Sequence, residues 1–220
     1  MISIIIFVIF FLAIVNWSQI ISFSSLFVGP KIKTSTVKDE WINKIVRKKT
    51  GLKLLDITLF HDKKMYGMMA GLPFWPKMIL TDSLLKNFNK DELEWVILHE
   101  AGHCVLWHNL KAFLVELSFI TLGTLIIYFY ELNLFGAILS AIILSLLCIQ
   151  AIRWLIEYQA DRFSIERVDN PRGVITAQEK IRNAKHKNLF SSEKSLGRFL
   201  LHWNIYPSKR IEMARNLSSN

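Results

Sequence analysis

Two histidines and a glutamate form the pattern with the clearest chemical meaning in this chain. His99 and His103 stand four residues apart in a run that reads as a helix, so both side chains lie on one face. Two such side chains can hold one metal ion, and Glu100 can then reach a water on that metal without being a ligand. The spacing is typical of a helix that binds catalytic zinc. A helix with two surface histidines is the alternative, which the pattern alone leaves open.

A catalytic zinc ion takes three protein ligands and leaves a position for water, so a third ligand must come from elsewhere. His108 is a candidate, but it lies five residues past His103. On a continuous helix this spacing rotates it well away from the face of the histidine pair. We therefore expect His108 at a membrane interface, together with Trp107.

Glu157 is the better candidate for the third ligand. Two apolar runs follow the motif and are joined near Glu131, about midway between the histidines and Glu157. Two antiparallel helices that turn there bring Glu157 back alongside the histidine pair. Asp161, one turn later on the same face, can accept a hydrogen bond from the far ring nitrogen of a liganding histidine. The alternative is a solvated face on which both carboxylates pair with Arg153 and Arg162.

Taken together, these motifs resemble those of the membrane zinc metallopeptidases of the HtpX and CAAX prenyl protease type. The resemblance covers roughly residues 41–215 and is carried by HEAGH at 99–103, EYQAD at 157–161 and the segment 71–85. It implies one zinc ion held by His99, His103 and Glu157, with Glu100 as the general base. It also implies a protease that cleaves polypeptides in or near the membrane.

The C-terminal segment departs from the pattern of that family, which often ends with a His-Pro pair followed by Arg-Ile. Here Tyr206 precedes Pro207, and Arg210 follows at a shorter spacing. Peptide hydrolysis builds negative charge on the carbonyl oxygen, so a second donor beside zinc is expected. The candidates, in order, are Arg210, Tyr206 and His202. Arg210 can instead pair with a carboxylate near the metal, and a surface helix start with solvated basic side chains is a further alternative.

Three apolar segments predict membrane spans. Residues 1–30 carry no charge, and two further runs, 112–130 and 132–152, form a hairpin. The short hairpin loop has no Lys or Arg, whereas the segments after the first and third spans are basic, which predicts an outside N-terminus and a cytoplasmic active site. Lys and Arg beside membrane spans attract anionic lipid and set the topology, which accounts for the formal charge of +9. The lipid bilayer is therefore expected as a partner, and nucleic acid is not. A buried helix pair in a soluble core is the alternative.

The polar segments predict a small α+β domain, mainly α-helical and gluzincin-like, interrupted by the membrane hairpin. The predicted divisions are an anchor at 1–30, a cytoplasmic part with the motif helix at 31–111, the hairpin at 112–152 and a second cytoplasmic part at 153–220. Asn89 is expected to cap the motif helix, with Glu92 completing a capping box. Other helices are predicted at 36–50, from 81, at 156–168, 176–187 and 196–203, and strands at 54–61, 65–71 and 77–81.

The sequence therefore predicts a zinc metalloendopeptidase in a cell membrane, with several spans and a membrane-associated polypeptide as substrate. Glu100 would take a proton from the zinc-activated water. A narrow processing protease for a lipidated or signalling peptide is one alternative. A non-catalytic metal-binding sensor or scaffold is another, although the presence of Glu100 disfavours it.

Overall fold

A computed structural model describes residues 1–16, 33–63, 65–188 and 207–218. Its chain forms two compact units. The helical unit comprises the described parts of 1–31 and 110–154, and the mixed unit those of 32–109, 155–198 and 204–220. The predicted helix at 196–203 and the part of the predicted anchor beyond residue 16 lie outside the described residues.

The elements alternate between short strands and longer helices, as expected for a mainly helical α+β chain. The strands are β1 (Thr34–Val37), β2 (Ile57–Phe60), β3 (Gly67–Leu72) and β4 (Trp75–Thr81). The helices are α1 (Ile2–Val15), α2 (Glu40–Thr50), α3 (Asp82–Asn87), α4 (Lys90–Val105), α5 (His108–Phe129), α6 (Leu134–Ile165), α7 (Pro171–Asn188) and α8 (Pro207–Ser218).

The four strands form one sheet in the order β1-β2-β4-β3. β2 and β4 are parallel, and the outer pairs are antiparallel, so β3 is an edge strand. The sequence did not predict β1, and the helix predicted at 36–50 begins only at Glu40. Asp39 accepts hydrogen bonds from the backbone N–H groups of Trp41 and Ile42 and so starts α2 there. The β-branched residues before it pair with β2 instead.

α4 is the central element of the mixed unit and contacts α2, β3 and α7. Its buried residues lie around the whole helix, and they include Trp95, Ile97 and Leu98. Two buried carboxylates on α4 are paired: Glu92 with Lys180 and Glu94 with Lys49. The helix is therefore enclosed on several sides, and the motif near its C-terminal end is held in place by surrounding packing.

The helical unit contains α1 and the apolar parts of α5 and α6. Phe7 and Phe11 of α1 are fully buried. A β-carbon at Gly123 of α5 would lie 2.0 Å from Cζ of Phe7, so the two helices approach closely at a glycine. Ser145 of α6 donates a hydrogen bond to the backbone carbonyl of Phe11 at 3.4 Å. α1 therefore packs against both helices of the hairpin.

Two helices in the described part of the chain, α5 and α6, are long and apolar enough to cross a membrane. α1 is also apolar but has only 14 residues. α5 ends at Phe129 and α6 begins at Leu134, and the predicted turn at Glu131 is confirmed by its left-handed φ of 49°.

Candidate active site

The motif helix begins where the sequence predicts. Asn89 accepts a hydrogen bond from the backbone N–H of Glu92 at 2.9 Å, and the Glu92 carboxylate accepts one from the backbone N–H of Asn89 at 2.8 Å. This capping box satisfies two backbone donors at the start of α4. It fixes the helix from which His99, Glu100 and His103 project.

His99, His103 and Glu157 converge on one point. The Nε2 atoms of the two histidines lie 3.3 Å apart. Glu157 on α6 places Oε2 3.5 Å from Nε2 of His99 and Oε1 3.7 Å from Nε2 of His103. The three ligand atoms all lie within 4.8 Å of one another. Two ring nitrogens and one carboxylate are the donor set of a catalytic zinc site, so the residues fit this metal.

Asp161 lies behind His99, as the sequence predicts. Its Oδ1 is 2.9 Å from Nδ1 of His99, and its side chain is fully buried. Neither atom has another hydrogen-bond partner in the described part of the chain. The carboxylate therefore faces the ring nitrogen opposite the metal side and can fix the orientation of the imidazole.

Arg210 on α8 connects the two carboxylates. Its Nε donates to Oδ2 of Asp161 at 2.6 Å, and its Nη2 donates to Oε2 of Glu157 at 3.3 Å. The guanidinium also lies 5.8 Å from the ring centroid of Trp95. This is the carboxylate pairing that the sequence left open beside the oxyanion role. His202 and Tyr206 lie outside the described residues.

The surroundings of His99 and His103 shift the pKa values of both imidazoles strongly, in opposite directions. Burial would lower the pKa of His99, but Asp161 and Glu157 raise it to about 10. Burial and the charge of His99 lower the pKa of His103 to about 4. A metal ion that binds here must therefore displace a proton from His99.

Glu100 is poised between its two protonation states. Burial raises its pKa to about 7, although the charge of His99 and a hydrogen bond from the backbone N–H of Met69 act in the opposite direction. A carboxyl with a pKa near neutrality can both accept and return a proton at physiological pH. This property suits the predicted general base.

His108 differs from its prediction. α4 ends at Val105, Trp107 adopts a left-handed φ of 56°, and α5 begins at His108. The assumption of one continuous helix was therefore wrong. His108 is only 2% exposed, and its Nδ1 lies 2.9 Å from Nδ1 of His103. Its Nε2 lies 3.2 Å from Oε1 of Gln159, a residue that the sequence did not single out.

A comparison of the sequence with models of known protein families identifies the family of this chain. The model of peptidase family M48 matches residues 36–197, which is well over half of the chain. The chain belongs to peptidase family M48. Membership confirms the resemblance to membrane metallopeptidases that the sequence motifs carry. The matched range includes all three predicted metal ligands of this M48 chain.

A solved structure supports the fold of this M48 protein. The crystal structure of S. mikatae Ste24p is similar with a TM-score of 0.57 at 20% identity. The similarity covers 97% of this chain and 57% of that chain, so this protein spans little more than half the length of that one. At such low identity the likeness concerns the fold alone. No curated protein matches the chain.

Proposed function

We propose that this M48 protein is a zinc-dependent endopeptidase that hydrolyses peptide bonds of membrane-associated polypeptides. The observation that carries the proposal is the convergence of two histidine Nε2 atoms and the Glu157 carboxylate within 4.8 Å. Glu100 lies directly after the first ligand on the same helix. A sensor or scaffold would need the ligands but would have no use for a general base beside them.

The chain supplies positioning and proton transfer. His99, His103 and Glu157 would hold one zinc ion, with Asp161 orienting His99. When bound, zinc lowers the pKa of a coordinated water to about 7 and polarises a substrate carbonyl. Glu100 accepts a proton as the water oxygen bonds to the carbonyl carbon. It returns that proton to the amine nitrogen as the carbon–nitrogen bond breaks.

A donor for the developing negative charge completes the proposal. Arg210, Tyr206 and His202 remain its candidates. Arg210 is the one whose side chain the structure describes, with Nη2 3.3 Å from the proposed ligand Glu157. To serve as donor, its guanidinium must reach the carbonyl oxygen while it still contacts the carboxylates.

The edge strand β3 offers a surface for an extended substrate. A β-carbon at Gly67 would lie 3.5 Å from Cγ of Glu100, so the strand runs directly beside the base. Met69 contributes a backbone hydrogen bond to the Glu100 carboxylate. A peptide that pairs with the outer edge of β3 would pass the proposed metal site and be held mainly by backbone contacts, with broad tolerance of side chains.

We further propose that the protein spans the cell membrane three times, with α1 as the described start of the first span. The contact of Phe7 with Gly123 and the hydrogen bond between Ser145 and Phe11 support this, because they group α1 with the two longer apolar helices. The proposed orientation, with the N-terminus outside and the active site facing the cytoplasm, rests on the distribution of Lys and Arg. The four divisions at 1–30, 31–111, 112–152 and 153–220 follow from these spans.

Comparative proteomics of membranes tests the proposed function. Cells that produce the wild-type protein are compared with cells that produce Glu100→Gln, with Glu166→Gln as a matched control on an exposed carboxylate. Cleaved membrane polypeptides should appear with wild type and with the control, and should be absent with Glu100→Gln. Many different products would favour a general endopeptidase, and a single product would favour the narrow processing protease. Identical peptide profiles in all three samples would contradict proteolysis.

A further inference from the structure

His103 has a partner on each side of its ring. Its Nε2 faces His99 and Glu157, whereas its Nδ1 lies 2.9 Å from Nδ1 of His108. The Nε2 of His108 in turn lies 3.2 Å from Oε1 of Gln159 on α6. His103, His108 and Gln159 therefore form a continuous chain of hydrogen-bonding atoms that leads away from the metal side.

We propose that His108 and Gln159 act as positioning residues that fix the tautomer and orientation of His103 as a metal ligand. This inference rests on the proposed zinc site. Its content is that each ligand histidine has its own orienting partner. Asp161 lies at Nδ1 of His99, and His108 lies at Nδ1 of His103, both at 2.9 Å.

We call the hydrogen-bonded series of His103, His108 and Gln159 the relay. The direction of each of its hydrogen bonds follows from one requirement. A ring nitrogen that binds a metal carries no hydrogen, so His103 must hold its hydrogen on Nδ1. That N–H donates to Nδ1 of His108. His108 must then carry its own hydrogen on Nε2 and donate it to the amide oxygen of Gln159, the orientation in which Gln159 lies.

The opposite arrangement would block metal binding. If the amide nitrogen of Gln159 donated to His108, the hydrogen of His108 would move to Nδ1 and point at His103. His103 would then carry a hydrogen on Nε2, where the metal ligand atom must be. The amide of Gln159 therefore determines which nitrogen of His103 is available, two residues along the relay.

The local backbone places His108 for this role. Trp107 adopts a left-handed φ of 56°, which is unfavourable for a residue with a side chain and persists only where the surroundings fix it. The break turns His108 back behind His103, where it is 2% exposed. A buried imidazole needs hydrogen-bond partners, and in this position it finds them at His103 and Gln159.

Zinc affinity, measured by competition with a chelator on the purified full-length protein, tests the relay. His108→Leu should weaken zinc binding by about 10- to 100-fold, the usual effect of removing an outer partner of a ligand. His108→Asn should retain most of the affinity, because its side-chain oxygen occupies the place of Nδ1 and accepts the same hydrogen bond. Gln159→Leu should also weaken binding, and the double variant of His108→Leu and Gln159→Leu should be no weaker than His108→Leu alone. His61→Leu, at an exposed histidine, is the matched control.

Equal losses in His108→Leu and His108→Asn, additive losses in the double variant, or wild-type affinity in His108→Leu would each overturn the relay. A second measurement keeps the relay testable without zinc. Imidazole ¹⁵N shifts of the metal-free protein, with His108 assigned by its loss in His108→Asn, should show the Nε2–H tautomer and should change in Gln159→Leu. The Nδ1–H tautomer would refute the inference. If wild type binds no zinc but His108 is Nε2–H, the proposed function fails and the relay stands.

Discussion

Substitution of Arg210 distinguishes its two possible roles. The side chain is only 16% exposed, and it donates to a fully buried Asp161 and to Glu157. Removing one partner of a buried ion pair costs about 3–5 kcal/mol, because the remaining charge is left uncompensated. Arg210→Met should therefore lower the free energy of unfolding by about 3 kcal/mol. Arg210→Lys keeps the charge but loses one of the two contacts, and should cost about 1.5 kcal/mol.

Zinc affinity should fall in the same order, more in Arg210→Met than in Arg210→Lys. Arg210 holds Asp161 on the side opposite His99 and also contacts Glu157, so its loss should weaken zinc binding by about 10- to 100-fold. Unfolding is followed by thermal denaturation in detergent, and zinc affinity by chelator competition. Arg182→Met on α7, an exposed arginine, is the matched control and should change neither quantity.

The oxyanion role predicts a different result. A donor that contacts only the transition state can be removed with a loss of about 100-fold or more in kcat, while zinc affinity stays unchanged. If Arg210→Met shows that pattern with wild-type stability, the interpretation that Arg210 serves to pair with Asp161 and Glu157 is refuted. The sequence-based ranking of Arg210 as first oxyanion donor would then hold.

Three further predictions concern stability, topology and substrate binding. Burial would raise the pKa of Glu92, but Lys180 and the capping box lower it, so their contribution to stability is present above pH 4.5 and is lost as the pH falls through the lowered pKa. Lys180→Met should therefore destabilise the protein most at pH 7 and progressively less as the pH falls below 4.5 and through the lowered pKa, and a loss of stability that does not shrink with falling pH would contradict the pairing. Cysteines introduced at Ser195 and Asn133 should react with an impermeant reagent in intact cells only at Asn133, and labelling at Ser195 instead would reverse the topology. Met69→Pro disrupts backbone pairing along the edge strand and also removes the backbone N–H that donates to Glu100, so it should raise KM strongly and lower kcat as well. An unchanged KM in a folded protein would count against substrate pairing there.

The features that the sequence predicts well are those set by local rules. Asn89 and Glu92 form the capping box because both groups lie within one turn of the helix start. The return of Glu157 to the histidine pair follows from counting residues on either side of Glu131, because helices rise uniformly along the chain. Such arithmetic requires only that the two helices be antiparallel.

The features that it misses depend on single backbone angles or on distant packing. The rotation of His108 away from the histidine pair was predicted wrongly, because the left-handed conformation of Trp107 has no glycine to mark it. β1 was not predicted, and its last two residues were assigned to the helix at 36–50, because four residues are too few to show an alternating pattern beside the amphipathic run that follows. The contact of Arg210 with Asp161 spans 49 positions and depends on how α8 packs, which no local pattern encodes.

The zinc-to-protein ratio of purified wild type and Glu157→Ala tests the central claim most directly. Wild type should carry one zinc ion per chain, and Glu157→Ala should lose most of it, because two histidines alone leave the site short of a ligand. Glu166→Ala, an exposed carboxylate just beyond the same helix, should keep the full ratio. Full zinc occupancy in Glu157→Ala, or no zinc in wild type, would contradict the metal site proposed for this chain.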